Sequence, residues 1–329
     1  MESAVSVASS NSTNVRSYPK APWLVRAGLG AAGAVARPLA ARVGERLFLT
    51  PPRHGPPERE REALSRAVPF SVPFRGGRLQ AWRFGEGPAV LLVHGWGGRG
   101  GQLSAFAPAL AEAGCAAVAF DGPGHGSSSG SLASVPLFGE AVAALARQVG
   151  ARAAIAHSMG AAGTGVALAS GLDLQAAVFL GPPRSPSAFF QEFCSALDLG
   201  PDLRLAVRER LERRFGMALA DFDMPRLAGD RDTPLLVIHD RGDAEVPWAD
   251  GAAIARAWPG AELATTEGLG HRRILRDPGV VARAAAFVAG RLQHRCGCGR
   301  PAADAGAQAL CDRCLLEYEL FHPASRRRA

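Results

Sequence analysis

The sequence predicts an α/β fold: a mostly parallel central sheet with helices on both faces, a helical insertion and a small Cys-rich C-terminal tail. Three observations carry this. Continuously apolar runs such as Ala89–Val93, Ala116–Phe120 and Ala176–Leu180 alternate with helix-prone stretches, the pattern of strands covered on both faces. The run Ala153–Ala156 stops just short of Ser158, which has small residues two positions away on either side, and another helix-prone stretch follows. That pattern reads as a strand turning sharply into a helix with a serine at its tip. One interruption, about 183–232, is too long for a plain connection and carries Phe189, Phe190, Phe193, Leu197 and the helix-like Leu203–Phe215.

Taken in order, residues 1–20 are rich in Ser and Asn, a composition that buries too little apolar surface to order itself. Residues 21–48 fit one or two helices whose Arg-dotted apolar face packs on the body, which is favoured here, or lies on a membrane. Pro51, Pro52, Pro56 and Pro57 make an extended linker, and the charged stretch Glu58–Arg66 follows. Residues 1–68 are therefore an N-terminal extension, and the regular domain spans 69–293. Pro69–Phe74 and Arg78–Phe84 flank Gly76-Gly77 and read as a hairpin. Further strands fit Ala89–Val93, Ala116–Phe120, Ala153–Ala156, Ala176–Leu180, Pro234–Ile238 and Glu262–Thr265. Helices fit Leu103–Ala113, Leu137–Val149, Met159–Leu168, Pro247–Trp258 and Val280–Gln293. The insertion at about 183–232 reads as a cap with an apolar underside.

The formal charge is +7, carried almost wholly by arginine, with Lys20 the only lysine. The arginines are scattered rather than striped, so no nucleic-acid partner is expected. No stretch reaches the ~20 apolar residues of a membrane span; Ala21–Leu49 is broken by Arg26, Arg37, Pro38, Arg42 and Arg46. The N-terminus lacks a basic region followed by an apolar one, so a cytoplasmic location is the expectation.

A serine hydroxyl needs a base to become a nucleophile, and the base needs a third group to fix its tautomer. The sequence places Asp240 and Asp243 after the strand ending at Ile238, and His271 after the strand ending at Thr265. His94, His125, His157 and His239 compete with His271. His94 and His125 sit in glycine turns and are read as loop-holding, while His157 adjoins the serine and points elsewhere. The glycine-rich segment after Val93 lets the Trp96 amide face a developing oxyanion, with the Met159 amide as second donor, each worth ~3 kcal/mol.

These motifs together resemble the α/β-hydrolase fold superfamily, of the serine esterase and lipase kind. The likeness rests on Leu91–Gly98, Phe120–Gly126, Ala156–Gly160, Asp243–Pro247 and Gly268–His271, in that order. It implies Ser158 as nucleophile, His271 as general base and Asp243 as orienting acid, with the amides of Trp96 and Met159 as oxyanion donors. The D-x-x-V-P continuation favours Asp243 over Asp240. Ala156 stands where glycine is usual, the mildest departure. The activity implied is cleavage of an ester, thioester or similar acyl bond in a small-molecule substrate, without a catalytic cofactor; the apolar insertion adds the expectation of a medium-sized hydrophobic acyl or alcohol group. Acyl transfer on the same residues, or a non-catalytic binding protein of this fold, are the alternatives.

Cys115 and Cys194 are isolated and read as small buried apolar residues. Cys296, Cys298, Cys311 and Cys314 in the 294–329 tail are paired at a spacing that can close a tetrahedral structural zinc site, with disulfides or free thiols as alternatives. A closed site leaves no position for catalysis, so the tail is expected to serve stability or a protein partner.

Overall fold

The computed structural model describes residues 20–229 and 231–292. The expected Cys-rich zinc tail, with Cys296, Cys298, Cys311 and Cys314, and the polar segment 1–19 lie outside the described residues.

The strands are β1 (Val68–Phe74), β2 (Gly77–Phe84), β3 (Ala89–Val93), β4 (Ala116–Phe120), β5 (Ala153–His157), β6 (Ala176–Leu180), β7 (Leu235–Asp240) and β8 (Glu262–Thr266). The helices are α1 (Trp23–Val35), α2 (Arg37–Leu49), α3 (Glu58–Ser65), α4 (Phe106–Glu112), α5 (Val135–Val149), α6 (Met159–Ala169), α7 (Pro186–Ala196), α8 (Pro201–Phe215), α9 (Met224–Ala228), α10 (Trp248–Ala257), α11 (Gly270–Arg273) and α12 (Pro278–Ala289). The strands form one sheet in the order β1-β2-β4-β3-β5-β6-β7-β8. β1 and β2 are antiparallel to their neighbours and the rest run parallel.

Each central strand feeds two cores at once. Leu91 and Val93 of β3 join one cluster with Phe138 and Leu145 of α5 and Trp258. Val90 and Leu92 join the other with Phe106 and Leu110 of α4 and Val280 and Val288 of α12. Each such fully buried side chain stabilises the fold by about 1.5–3 kcal/mol.

The structure shifts several boundaries. The hairpin turn is Arg75-Gly76, both with φ above zero, and Gly77 already pairs with Phe74. Such two-residue turns follow the twist of the strands. α5 begins at Val135, ahead of Pro136, because Ser134 caps it by accepting from the Leu137 amide. Asp277 does the same for α12, which starts at Pro278 and ends at Ala289. The expected helix Leu103–Ala113 is two pieces, a 3-10 turn over Gly100–Leu103 and then α4. Glu58–Ser65, expected only as a charged stretch, is helical, and buried Glu60 takes a two-pronged bond from Arg99 at 2.6 and 2.9 Å.

The insertion between β6 and β7 is helical, formed by α7, α8, a 3-10 turn over Leu219–Phe222, and α9. Its apolar residues do not serve as a free underside. Phe190, Phe193, Leu197, Leu203, Val207 and Leu211 are buried with Leu29, Ala40, Ala41 and Leu49 of α1 and α2. The N-terminal helices thus pack on the insertion rather than on the sheet. Gly44 makes the contact close, since a Cβ there would come 2.7 Å from Val207. Buried Glu45 accepts from Arg210 and Arg214 at 2.8 and 2.5 Å. Burial works to raise its carboxyl, but the two guanidiniums outweigh it and hold it below its ordinary value.

Candidate active site

The strand order reverses between β3 and β5, since the chain passes from β3 to β4 on one side and then to β5 on the other. Ligand sites of open α/β sheets gather at such a switch, beyond the carboxyl ends of the strands. The loop after β3 and the turn after β5 meet there. A Cβ on Gly95 would lie 2.9 Å from the Cβ of Ser158, so this close approach requires glycine.

Ser158 sits between β5 and α6 with φ 51° and ψ −124°. A non-glycine residue held at positive φ costs of order 1–3 kcal/mol, so the surrounding structure must impose it. Its amide donates to Leu180 at 3.0 Å, which ties the turn to β6. Gly160 fits because a Cβ there would meet the His94 carbonyl at 2.3 Å. Ala156, by contrast, is fully buried within β5 and its methyl is accommodated in the core.

His271 lies in α11 beyond β8 and is 8% exposed. Its Nδ1 donates to Asp243 Oδ2 at 2.7 Å. The other carboxylate oxygen accepts the amides of Glu245 and Val246 at 2.9 and 2.8 Å. His239 Nε2 lies 3.4 Å from Asp243 Oδ2 and 3.1 Å from the Val246 carbonyl. Burial favours the protonated acid, but the bonds from His239, His271 and the Val246 amide outweigh it and hold Asp243 well below the usual carboxylate range. Gly181, just after β6, sits beside this pair; a Cβ on it would be 3.2 Å from His271 Nδ1. The ends of β5, β7 and β8 thus bring Ser158, Asp243 and His271 to one rim of the sheet. The Ser158 hydroxyl makes no hydrogen bond to another described residue.

Asp240 has a different surrounding. It accepts from the amides of Gly242 and Leu269 and from the Thr266 hydroxyl, at 2.8–2.9 Å. Burial raises its carboxyl, and these donors outweigh that and lower it. It fastens the segment that leads into His271.

Met159 follows the serine and Trp96 follows Gly95, and neither backbone N–H donates a hydrogen bond among the described residues. Their neighbours do: Gly97 donates to His125 Nε2 at 3.0 Å and Gly98 to the Gly95 carbonyl at 3.0 Å. The Met159 amide is free for a general reason, because the first amides of a helix have no partner within it. His94 and His125 hold the loop, as their setting in glycine turns suggests. His94 donates from Nδ1 to the Gly95 carbonyl and accepts the Gly122 amide at Nε2. His125 donates to the Pro123 carbonyl. Burial pushes His94 down to about 4 and His125 down to about 3, so both are neutral at pH 7. Asp121 is structural as well, accepting from the amides of Gly100 and Ser127 at 2.8 Å each.

Two features lie beyond the sequence reading. His157, expected to point elsewhere, lies against His271 and donates from Nε2 to its carbonyl at 3.0 Å. The segment Thr50–Arg53 straps the rim: Pro52 lies against Gly97, and Arg53 donates to the carbonyls of Gly124 and Gly130 at 2.9 and 2.6 Å. Cys115 and Cys194 are buried free thiols, and burial pushes Cys194 up to about 11.

The model of the alpha/beta hydrolase family matches residues 90–284. That segment holds Trp96, Ser158, Met159, Asp243 and His271. No curated protein sequence matches the chain significantly. Solved structures with the same fold include an esterase from Rhodococcus sp., 19% identical, covering 69% of this chain and 100% of its own, with a TM-score of 0.51. An esterase from Pyrococcus furiosus is 18% identical, covering 72% and 97%, at 0.53. A bromoperoxidase from Bacillus anthracis is 19% identical, covering 66% and 98%, at 0.51.

Proposed function

The chain belongs to the alpha/beta hydrolase family, and on that premise we propose that it is a serine hydrolase cleaving an ester, thioester or similar acyl bond of a small molecule. The observation that carries this reading is the 2.7 Å bond between His271 and an Asp243 carboxylate fixed by two backbone amides, on the same rim as a serine held at positive φ.

Asp243 keeps the proton of His271 on Nδ1 and leaves Nε2 with its lone pair. Nε2 takes the Ser158 proton as Oγ attacks the acyl carbon. The carbonyl oxygen gains charge, and the amides of Trp96 and Met159 donate to it; such preorganised donors contribute ~3 kcal/mol each. His271, now protonated and stabilised by Asp243, passes its proton to the leaving oxygen or sulfur, and the acyl group stays on Ser158. Water then attacks the acyl-enzyme with His271 again as base, and the acid is released.

Because Phe190 and Phe193 of the insertion are spent on α1 and α2, they give no ground for a long acyl chain. A panel of p-nitrophenyl esters of graded length tests the reading. Turnover that falls to background in His271→Ala is expected. Turnover that survives that substitution unchanged, with every ester, would overturn it.

A further inference from the structure

α1 and α2 have two faces of different character. The inner face buries Leu29, Ala40, Ala41 and Leu49 against the insertion. On the outer side Trp23 is 68%, Leu24 66%, Val35 90% and Leu39 62% exposed, joined by Val43 and Leu47, and Val25 is exposed at the edge of the inner stripe. Seven of the eleven large apolar side chains exposed among the described residues lie on these two helices. That is a concentration, and concentrated exposed apolar surface marks an interaction site. Leu39, Val43 and Leu47 recur every four residues and so line one stripe of α2. Arg42 and Arg46, both exposed, stand three residues after Leu39 and Val43 and border that stripe.

The exposed charge carried by the two helices and the residues flanking them is of one sign. Between residues 20 and 50 the cations are Lys20, Arg26, Arg37, Arg42 and Arg46, and the sole acid is Glu45. Glu45 is buried, turned inward onto Arg210 and Arg214. Arg26 and Arg37 meet Asp198 and Asp202 on the insertion. Lys20, Arg42 and Arg46 have no acidic partner among the described residues.

Apolar side chains bordered by unpaired cations, with no exposed acid on either helix, complement an anionic lipid surface: headgroup phosphates meet the guanidiniums, and the acyl boundary takes Trp, Leu and Val. Neither helix crosses a bilayer. Each has 13 residues, about 20 Å at ~1.5 Å per residue, against a hydrocarbon core of ~30 Å. We propose that the outer face of α1 and α2 is a docking surface for an anionic phospholipid bilayer, lying in the plane of its interface. This does not rest on the hydrolase reading, since docking needs no turnover. α2 runs on through Thr50–Arg53 to the Gly97 loop, so the docking surface and the candidate site share one stretch of chain.

The test is co-sedimentation of the full chain with vesicles of phosphatidylcholine, with and without phosphatidylglycerol. Binding is expected only to the anionic vesicles and should weaken with added salt. Arg42→Gln with Arg46→Gln should bind roughly tenfold or more weaker, given ~1 kcal/mol per basic residue near the surface. Leu39→Ser, Val43→Ser and Leu47→Ser together should weaken it by at least as much. All five positions are exposed, so circular dichroism should be unchanged. Should the triple variant misfold, Trp23 decides: lipid should blue-shift the wild-type fluorescence, and Trp23→Phe should remove most of that shift. No sedimentation with anionic vesicles, or variants that bind like wild type, would overturn the proposal. So would a lipid-free dimer that the apolar substitutions abolish while vesicle binding persists, because a second copy would then cover this face.

Discussion

His157 donates from Nε2 to the backbone carbonyl of His271 at 3.0 Å, and the two imidazole rings stand 4.5 Å apart. The residue next to the serine therefore holds the main chain of the histidine. Burial, helped by the nearby His271 ring, keeps His157 far below its ordinary value, so it is neutral and keeps one N–H for this bond. Its role is positioning. His157→Ala should lower kcat/KM about tenfold, mostly in kcat, because small misplacements of a reacting group are costly. His157→Gln, which still offers an N–H, should recover most of that loss. Equal losses in both variants would count against the positioning role.

Asp240 and Asp243 have different partners and, on the proposed mechanism, different roles. On the proposed mechanism Asp243→Asn removes the carboxylate that fixes the His271 tautomer, and kcat should fall about ten-thousandfold. Asp240→Ala strands the amides of Gly242 and Leu269 and the Thr266 hydroxyl. It should cost about 1–3 kcal/mol of stability, since Thr266 and Leu269 are half-buried and only Gly242 is open to water. Steady-state kinetics beside urea unfolding of both variants checks the contrast; a reversed pattern would exchange the two roles.

The elbow tolerates change unevenly. Gly160→Ala drives a Cβ to 2.3 Å from the His94 carbonyl and 2.8 Å from that of Val93, backbone atoms that cannot yield locally. A loss of about 3 kcal/mol is expected. Ala156→Gly meets no such constraint and should cost about 1 kcal/mol, the penalty of glycine in a strand, with activity retained. Melting temperatures of the two variants read this directly.

Acid should destabilise the fold through its buried histidines. His94 and His125 are held at about 4 and about 3 by burial, against an ordinary 6.5. Below pH 6.5 the unfolded chain binds protons that the folded chain refuses, so unfolding gains as pH drops. Their stabilisation is complete above pH 6.5 and is lost as pH falls toward those folded values. His125→Gln keeps a donor for Pro123 and an acceptor for Gly97 but cannot titrate. It should flatten the decline by up to about 1.4 kcal/mol per pH unit. Stability measured against pH for both proteins tests this, and parallel curves would contradict it.

The sheet was legible because β3, β4, β5 and β6 are uninterrupted apolar runs of fixed length, and burial on both faces demands that. Ser158 could be read because a strand, a small residue and a helix-prone run flank it within a few positions. α3 was not legible, since it has no apolar periodicity and its one buried residue, Glu60, meets Arg99, 39 positions away. The contact of His157 with His271 spans 114 positions and leaves no local trace. The destination of Phe190 and Phe193 escaped for the same reason. An apolar face shows that something covers it, and pattern alone does not say what.

The most direct measurement is reaction with a fluorophosphonate, followed by mass mapping of the adduct. Such reagents trap a serine oxygen that a neighbouring base has activated. Wild-type protein should carry one adduct, on the peptide containing Ser158, and Ser158→Ala should carry none. Labelling on another residue, or none with either protein, would contradict the account.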